Sequence, residues 1–204
     1  VHRAVLKSGN PVVVKLIKHD FITSFTRDVR SLRSLLLFVL FFYPKLARVA
    51  DPLGILETIE TGTLDELDLR KEAAGQDVLR RITEEQSTLF DLSRLYFPLI
   101  YRELSGERYM VTEFVDGKTF DELLTEQKLS YDDLLDLFHI HGFFVFCIGT
   151  FHGDIHPGNI IRMSDGKFAF IDTGAISHVG ERMRLGLFDF FDALSLYDYD
   201  VCAR

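Results

Sequence analysis

Apolar and polar positions change period several times along the chain, and each change predicts a change of element. VHRAVLK and PVVVKL, within the first sixteen residues, are short β-rich runs separated by the turn residues Ser8-Gly9-Asn10, which predicts a hairpin. From residue 21 to about 50, apolar residues recur at spacings of three and four, as in a helix. Asp51-Pro52-Leu53-Gly54 breaks that pattern, and a second, acidic helix is predicted from about residue 55 to 85 with Gly62 inside it. Strands are predicted over 99–104 and 109–114, around a Ser105-Gly106-Glu107 turn. Asp116-Gly117 reads as a loop, TFDELLTEQ as a short helix with Thr119 in N-cap position, and residues 134–151 as a buried apolar helix. The loop HGDIHPGN follows, then strands IIRM and FAFID joined by Ser164-Asp165-Gly166-Lys167, then an amphipathic helix over GERMRLGLFDFFDALSLYDY. This order is α+β with two lobes and no internal repeat.

Composition narrows the class. With 47% hydrophobic and 26% charged residues in 204, the chain is globular and neither disordered nor collagen-like. Its 31 acidic against 23 basic side chains, net −8, argue against a nucleic-acid-binding surface. Two cysteines, Cys147 and Cys202, cannot form a disulfide framework, and a reducing, intracellular setting is expected. The longest apolar run, Leu35 to Tyr43, is about half of what a helix needs to span a bilayer, so a core-facing helix is expected. No cleavable signal precedes it, and taken alone the chain reads as soluble. It opens on Val1 rather than methionine, as a piece of a longer protein would.

The chemistry concentrates in two stretches. In His152-Gly153-Asp154-Ile155-His156-Pro157-Gly158-Asn159 an Asp is followed five positions later by an Asn, the catalytic-loop spacing of protein kinases. There the Asp orients or deprotonates the attacking hydroxyl and the Asn oxygen binds Mg²⁺. Phe170-Ile171-Asp172-Thr173-Gly174 then puts Asp172 at a strand end, where a kinase carries its second magnesium-binding carboxylate. Lys15 ends the strand Val12-Val13-Val14-Lys15, as the phosphate-binding lysine does in V-A-I-K. Glu66, Asp68 and Glu72 on the acidic helix are candidates for its carboxylate partner, and Asp68 and Glu72 share a face. Each signal has a plainer reading: a polar loop, a solvated lysine, a solvated acidic face. Zinc is the other alternative, because His139, His141, His152 and His156 cluster, but neither HExxH nor a paired CxxC accompanies them. His139 and His141 lie on an apolar helix and are expected to be packed and hydrogen-bonded.

Four such signals in kinase order bring a resemblance into view. Asp65-Glu66-Leu67-Asp68-Leu69-Arg70-Lys71-Glu72-Ala73-Ala74 resembles the signature helix of the UbiB/ADCK atypical kinase-like family, and VHRAVLKSGNPVVVKL, FHGDIHPGNI and FIDTGA resemble its early strands and its catalytic and metal loops. The resemblance implies a bilobal protein-kinase-like fold: an N-lobe over 1–115 with inserted helices, and a partial, mainly helical C-lobe over 116–204. It implies that Lys15 contacts nucleotide phosphates and pairs with Glu72, and that Glu66 and Asp68 form an E-x-D motif. Asp154 becomes the catalytic aspartate, Asn159 and Asp172 the Mg²⁺ ligands, and Glu113 to Val115 the hinge meeting the adenine. Six acids between Glu57 and Glu72 would then lie on the helix facing the nucleotide.

The implied cofactors are ATP and Mg²⁺. The implied role is ATPase or phosphotransferase activity supporting ubiquinone or related prenyl-lipid biosynthesis, with a quinone precursor and a membrane surface as partners and a place in the cytoplasm at the inner face of a membrane. The family's K-x-G-Q motif and Ala-rich nucleotide loop would lie before Val1, and its membrane helices after Arg204, so the chain is expected to be a fragment. Thr173 stands where D-F-G carries Phe. Two rivals stay open: a small-molecule phosphotransferase of the aminoglycoside or choline kinase kind, which shares the His-Gly-Asp-x-His-x-x-Asn loop, and a pseudokinase-like binding module.

Overall fold

The computed structural model describes residues 1–46 and 51–203, with the side chains of all of these except His19, Asp65 and Glu66. Along the chain come strands β1 (His2–Val5) and β2 (Pro11–Leu16), helices α1 (His19–Phe42), α2 (Pro52–Glu66) and α3 (Leu69–Gln86), and the short strand β3 (Leu95–Tyr96). Strands β4 (Tyr109–Glu113) and β5 (Gly117–Thr119) lead into helices α4 (Phe120–Thr125) and α5 (Tyr131–Gly142). Strands β6 (Thr150–His152), β7 (Ile160–Met163), β8 (Phe168–Phe170) and β9 (Ile176–His178) precede α6 (Glu181–Ser195) and the single turn α7 (Tyr199–Cys202). These elements sort into two compact units, residues 1–72 with 100–113, and residues 73–99 with 114 onwards.

In the first unit β2 is the middle strand of an antiparallel sheet ordered β1-β2-β4. Three consecutive valines suit that central position, because β-branched side chains pack well on a pleated surface. The register sets Val12 opposite Glu113 and Lys15 opposite Met110. The predicted 1–16 hairpin is present, and Gly9 takes the left-handed conformation (φ +91°) that its turn requires. Helices α1 and α2 pack together, with Arg33 Nη2 2.8 Å from Glu60 Oε2. The far end of the predicted 21–50 helix, residues 47–50, lies outside the described residues.

Two expectations for this unit need correction. The helix predicted over 55–85 is two helices, interrupted at Leu67-Asp68. The Asp68 carboxylate accepts the Arg70 N–H (3.1 Å) and so starts α3 as a cap. Short polar side chains that bond nearby backbone favour helix starts over helix interiors. Residues 99–104 are not a strand either: Ile100 bridges Thr112 in isolation and 102–104 form a 3₁₀ turn. Ser105 Oγ accepts the Val111 N–H and donates to the Tyr101 carbonyl, taking over bonds that a strand ladder would have made.

The second unit is built on a four-stranded sheet ordered β3-β8-β7-β5, parallel only between β3 and β8. Its core gathers Phe168, Phe170 and Ile160 from the sheet, Phe120 and Leu123 from α4, and Ile140, Phe143 and Phe144 from α5 and the turn after it. Thr119 caps α4 as predicted, in a reciprocal box with Glu122. Arg94 joins distant segments here. Its guanidinium lies 4.1 Å over the Phe168 ring, bonds the buried Asp133 at 2.8 Å, and also bonds Asp136 and the Gly166 carbonyl. The helix predicted over 134–151 ends early: residues 143–148 widen into a π turn, Gly149 closes it at φ +79°, and Thr150 and Phe151 enter β6, paired with β9.

Two glycines inside helices have opposite reasons to be there. A Cβ on Gly75 of α3 would press into the Thr173 carbonyl and reach within 3.0 Å of Ile176 Cγ1, whereas a Cβ on Gly62 of α2 meets nothing. Gly75→Ala is therefore expected to destabilise the protein by about 1–3 kcal/mol. Gly62→Ala is expected to stabilise it by about 0.5–1 kcal/mol. Urea unfolding midpoints that move in the same direction for both would contradict this.

Candidate functional site

The first unit contributes a charge pair. Lys15 Nζ, on the central strand, donates to Glu72 Oε2, in the first turn of α3, at 2.6 Å. Only 28% and 10% of the two side chains are exposed, so the ammonium is held in a fixed place rather than waving in solvent. Asp68 is occupied elsewhere. Arg70 Nε and Nη2 donate to its two oxygens at 2.9 Å each, and this bidentate grip holds the carboxyl below the usual aspartate range. Asp68 therefore caps a helix start, and the helix face expected to carry it together with Glu72 is not formed. Glu66 closes α2, but its side chain lies outside the described residues. Glu113 ends β4 opposite Val12, Val115 is buried two residues on, and the division between the units falls just after Glu113.

The second unit brings Asp154, Asn159 and Asp172 together through backbone. His152, at the end of β6, is 2% exposed. Its Nδ1 accepts the Asp154 N–H at 3.2 Å, and its Nε2 lies 3.1 Å from the Ile171 carbonyl. A carbonyl only accepts, so Nε2 carries the proton and the ring is neutral, in keeping with the burial that lowers its pKa. Asn159, 6% exposed, donates Nδ2 to the Asp154 carbonyl at 3.0 Å. The Ile171 N–H in turn donates to the Asn159 carbonyl (3.0 Å), one step beyond the Ile160–Phe170 pair of the β7–β8 hairpin. Gly153 lets the loops touch, its N–H donating to the Ala175 carbonyl at 2.6 Å. Asp172 sits in the left-handed region (φ +55°), a strained conformation costing about 1–3 kcal/mol. Asp154, by contrast, keeps 59% of its side chain exposed, with His156 Nε2 4.0 Å away.

The donor chemistry suits magnesium. With its nitrogen committed to Asp154, the Asn159 amide presents its oxygen, and Asp172 offers a carboxylate: two hard ligands of the kind Mg²⁺ takes alongside water and phosphate. No group of three or more His, Cys, Asp or Glu side chains placed to hold a metal ion occurs among the described residues. The four histidines are put to other uses. His139 is exposed, contrary to expectation, whereas His141 is packed against Phe151 as expected but its buried Nδ1 has no hydrogen bond. Sequence reasoning passed over His152, Thr173 and Gly75 as structural partners of the site. Thr173 is 1% exposed beneath Gly75, and a glycine inside a helix is itself a sign of close approach.

With this geometry in view, comparison with known proteins is specific. The ABC1 atypical kinase-like domain matches residues 1–204. The chain belongs to the ABC1 atypical kinase-like family. Its relatives include proteins named probable protein kinase UbiB, from Sodalis glossinidius (32% identical, covering 100% of this chain and 38% of that protein) and from Vibrio vulnificus (30%, 98% and 37%). Protein slr0889 of Synechocystis is 30% identical, over 100% of this chain and 51% of its own length. The chain thus spans between about a third and a half of these relatives. Among solved structures, Rv3197 of Mycobacterium tuberculosis, determined as a complex with erythromycin, superposes with a TM-score of 0.65 at 22% identity, over 99% of this chain and 49% of that one. That likeness supports the kinase-like α+β fold of the ABC1 family.

Burial holds His152 below the ordinary histidine range, and burial does the same for His141. Both groups bind fewer protons folded than unfolded, so the stability present above the unfolded value of about 6.5 is lost as pH falls toward the folded values. Melting temperature should therefore decline between pH 7 and pH 5, and His141→Leu should make that decline shallower while leaving the pH 8 value nearly unchanged. An identical slope in the variant would remove His141 from the account.

Proposed function

We propose that this ABC1-family chain carries an ATP-binding, phosphoryl-handling site of the UbiB type, acting as an ATPase or phosphotransferase in ubiquinone or related prenyl-lipid biosynthesis at the cytoplasmic face of a membrane. The observation that carries the reading is the lattice of backbone bonds gathering Asp154, Asn159 and Asp172, with the Asp154 carboxylate left open to solvent while Asn159 is buried. In this reading Asn159 Oδ1 and the Asp172 carboxylate hold Mg²⁺, which when bound would offset charge on the β- and γ-phosphates.

Lys15, oriented by Glu72, supplies a fixed cation for the α- and β-phosphates. Asp154 accepts the proton of the attacking hydroxyl or water, for which an exposed carboxylate anchored through its own backbone is well placed. The His152 ring keeps that backbone in register and takes no proton itself. The strain at Asp172 is the kind retained where a side chain must be aimed.

The test separates binding from chemistry. Asp154→Asn should lower ATP turnover at least about 10²-fold while leaving Mg·ATP affinity nearly unchanged, since it removes a group used in the transition state. Lys15→Met should weaken nucleotide affinity itself. Unchanged turnover in Asp154→Asn would reject the catalytic assignment. If nucleotide binds with affinity sensitive to Lys15 but no turnover is seen in the unsubstituted protein, the chain is a binding module instead.

A further inference from the structure

Two histidines bracket Asp154 in its loop, and only one of them is fully spent. His152 uses both ring nitrogens inside the protein. His156 uses one: its Nδ1 accepts the Gly158 N–H at 3.0 Å, so the ring proton lies on Nε2. That second nitrogen is 4.0 Å from Asp154 Oδ2, on a side chain that is 56% exposed. The separation is too long for a hydrogen bond and short enough that a small rotation of either side chain would make one.

An exposed ring is ordinarily free to change rotamer, but the local sequence restrains this one. Pro157 disfavours the helical region for the residue before it, and His156 is accordingly extended (φ −73°, ψ 158°). The ring lies over Gly158, where a Cβ would come within 2.8 Å of its Cε1 and 3.1 Å of its Nδ1. Proline, glycine and the Nδ1 bond together hold an N–H donor beside the carboxylate. The same Asp154 oxygen has the Asn159 amide nitrogen 3.5 Å away, and that nitrogen is fixed by its 3.0 Å bond to the Asp154 carbonyl. Two donors thus favour Oδ2 over Oδ1. Closing the turn requires Nδ1 only, a task that an asparagine side chain performs as well. The placement of Nε2 is left over, and it falls on the group that the reaction uses.

We propose that His156 is the positioning residue for Asp154: its Nε2–H closes on Oδ2 when substrate enters and leaves Oδ1 directed at the attacking hydroxyl or water. Bonds of this kind are often long in a site without substrate and tighten in the reactive complex. A carboxylate free to rotate presents an oxygen in the productive direction only part of the time, and a second donor on Oδ2 removes much of that freedom. The imidazole stays neutral and gives up no proton; the proton of the attacking group ends on Asp154. The inference rests on the reading of Asp154 as the base.

Two substitutions separate the turn from the aim. His156→Asn keeps an oxygen for the Gly158 N–H but is too short to reach Oδ2, so melting temperature and Mg·ATP affinity should hold while kcat falls about tenfold. His156→Gln, which carries an amide N–H out to where Nε2 was, should recover part of that loss. Added to Asp154→Asn, the asparagine substitution should cost nothing further, because it acts through the carboxylate. Nitrogen NMR of the imidazole rings reads the arrangement without any turnover. His156 should show the Nε2–H tautomer in the nucleotide-free chain, and Asp154→Ala should move its Nε2 resonance. Full turnover in His156→Asn, an equal loss on top of Asp154→Asn, or an Nε2 resonance indifferent to Asp154→Ala overturns the proposal. If Asp154→Asn abolishes turnover and His156→Asn does not, only the part given to His156 falls. If Asp154→Asn changes nothing, the reading of Asp154 falls and takes this inference with it. For a chain that binds nucleotide without turnover, the NMR comparison decides.

Discussion

One neutral imidazole holds the candidate site in order. His152 spends both ring nitrogens, Nδ1 on the Asp154 N–H and Nε2 on the Ile171 carbonyl, and so ties the loop carrying Asp154 to the strand end carrying Asp172. Each bond contributes only about 1 kcal/mol net, but leaving either partner buried and unpaired would cost more. The ring must also stay neutral, because a proton on Nδ1 would face another N–H donor. Its surroundings keep it so: Phe170 lies edge-on at 6.0 Å, and the side chain is almost wholly inside. The hydrophobic core thereby sets a protonation state, and the protonation state sets the spacing of two loops.

The same core sustains the strained backbone at Asp172. Phe168, Ala169 and Phe170 are buried at 2% exposure or less, so β8 arrives at Ile171 with little freedom. On the far side Thr173 is sealed beneath Gly75 of α3, where no Cβ is present to push it away. A left-handed aspartate trapped between two fixed segments cannot relax by shifting its neighbours. A conformation that would be unfavourable in an open loop is thus over-determined here by the packing on either side.

How much of this could be read beforehand depended on the range of the interactions. The five-residue step from Asp154 to Asn159, the Asp165-Gly166 turn and the Thr119 cap are local signals, and the hairpins and helix they mark are present. Strands β3, β5, β6 and β9 are two or three residues long, too short for alternation to show, and exist because distant partners complete their ladders. The break at Asp68 was open to a local reading, since an aspartate inside an apparent helix is a natural cap, but the apolar period on either side concealed it. The part played by His152 could not have been found in sequence, because the Ile171 carbonyl comes nineteen residues later and only the hairpin brings it back.

Charge needs the same move from sequence count to placement. Six acids between Glu57 and Glu72 suggest an acidic helix turned toward the nucleotide. Three of them have cations of their own: Glu60 with Arg33, Asp68 with Arg70, Glu72 with Lys15. Local pairing, and not a shared field, is what those carboxylates provide, and a phosphate-bearing ligand would be repelled by the field but not by the pairs. The net of −8 is similarly uninformative about any one face. At physiological ionic strength the screening length is about 8 Å. Charges farther apart than that act separately, so each face is read from its own ion pairs and not from the total.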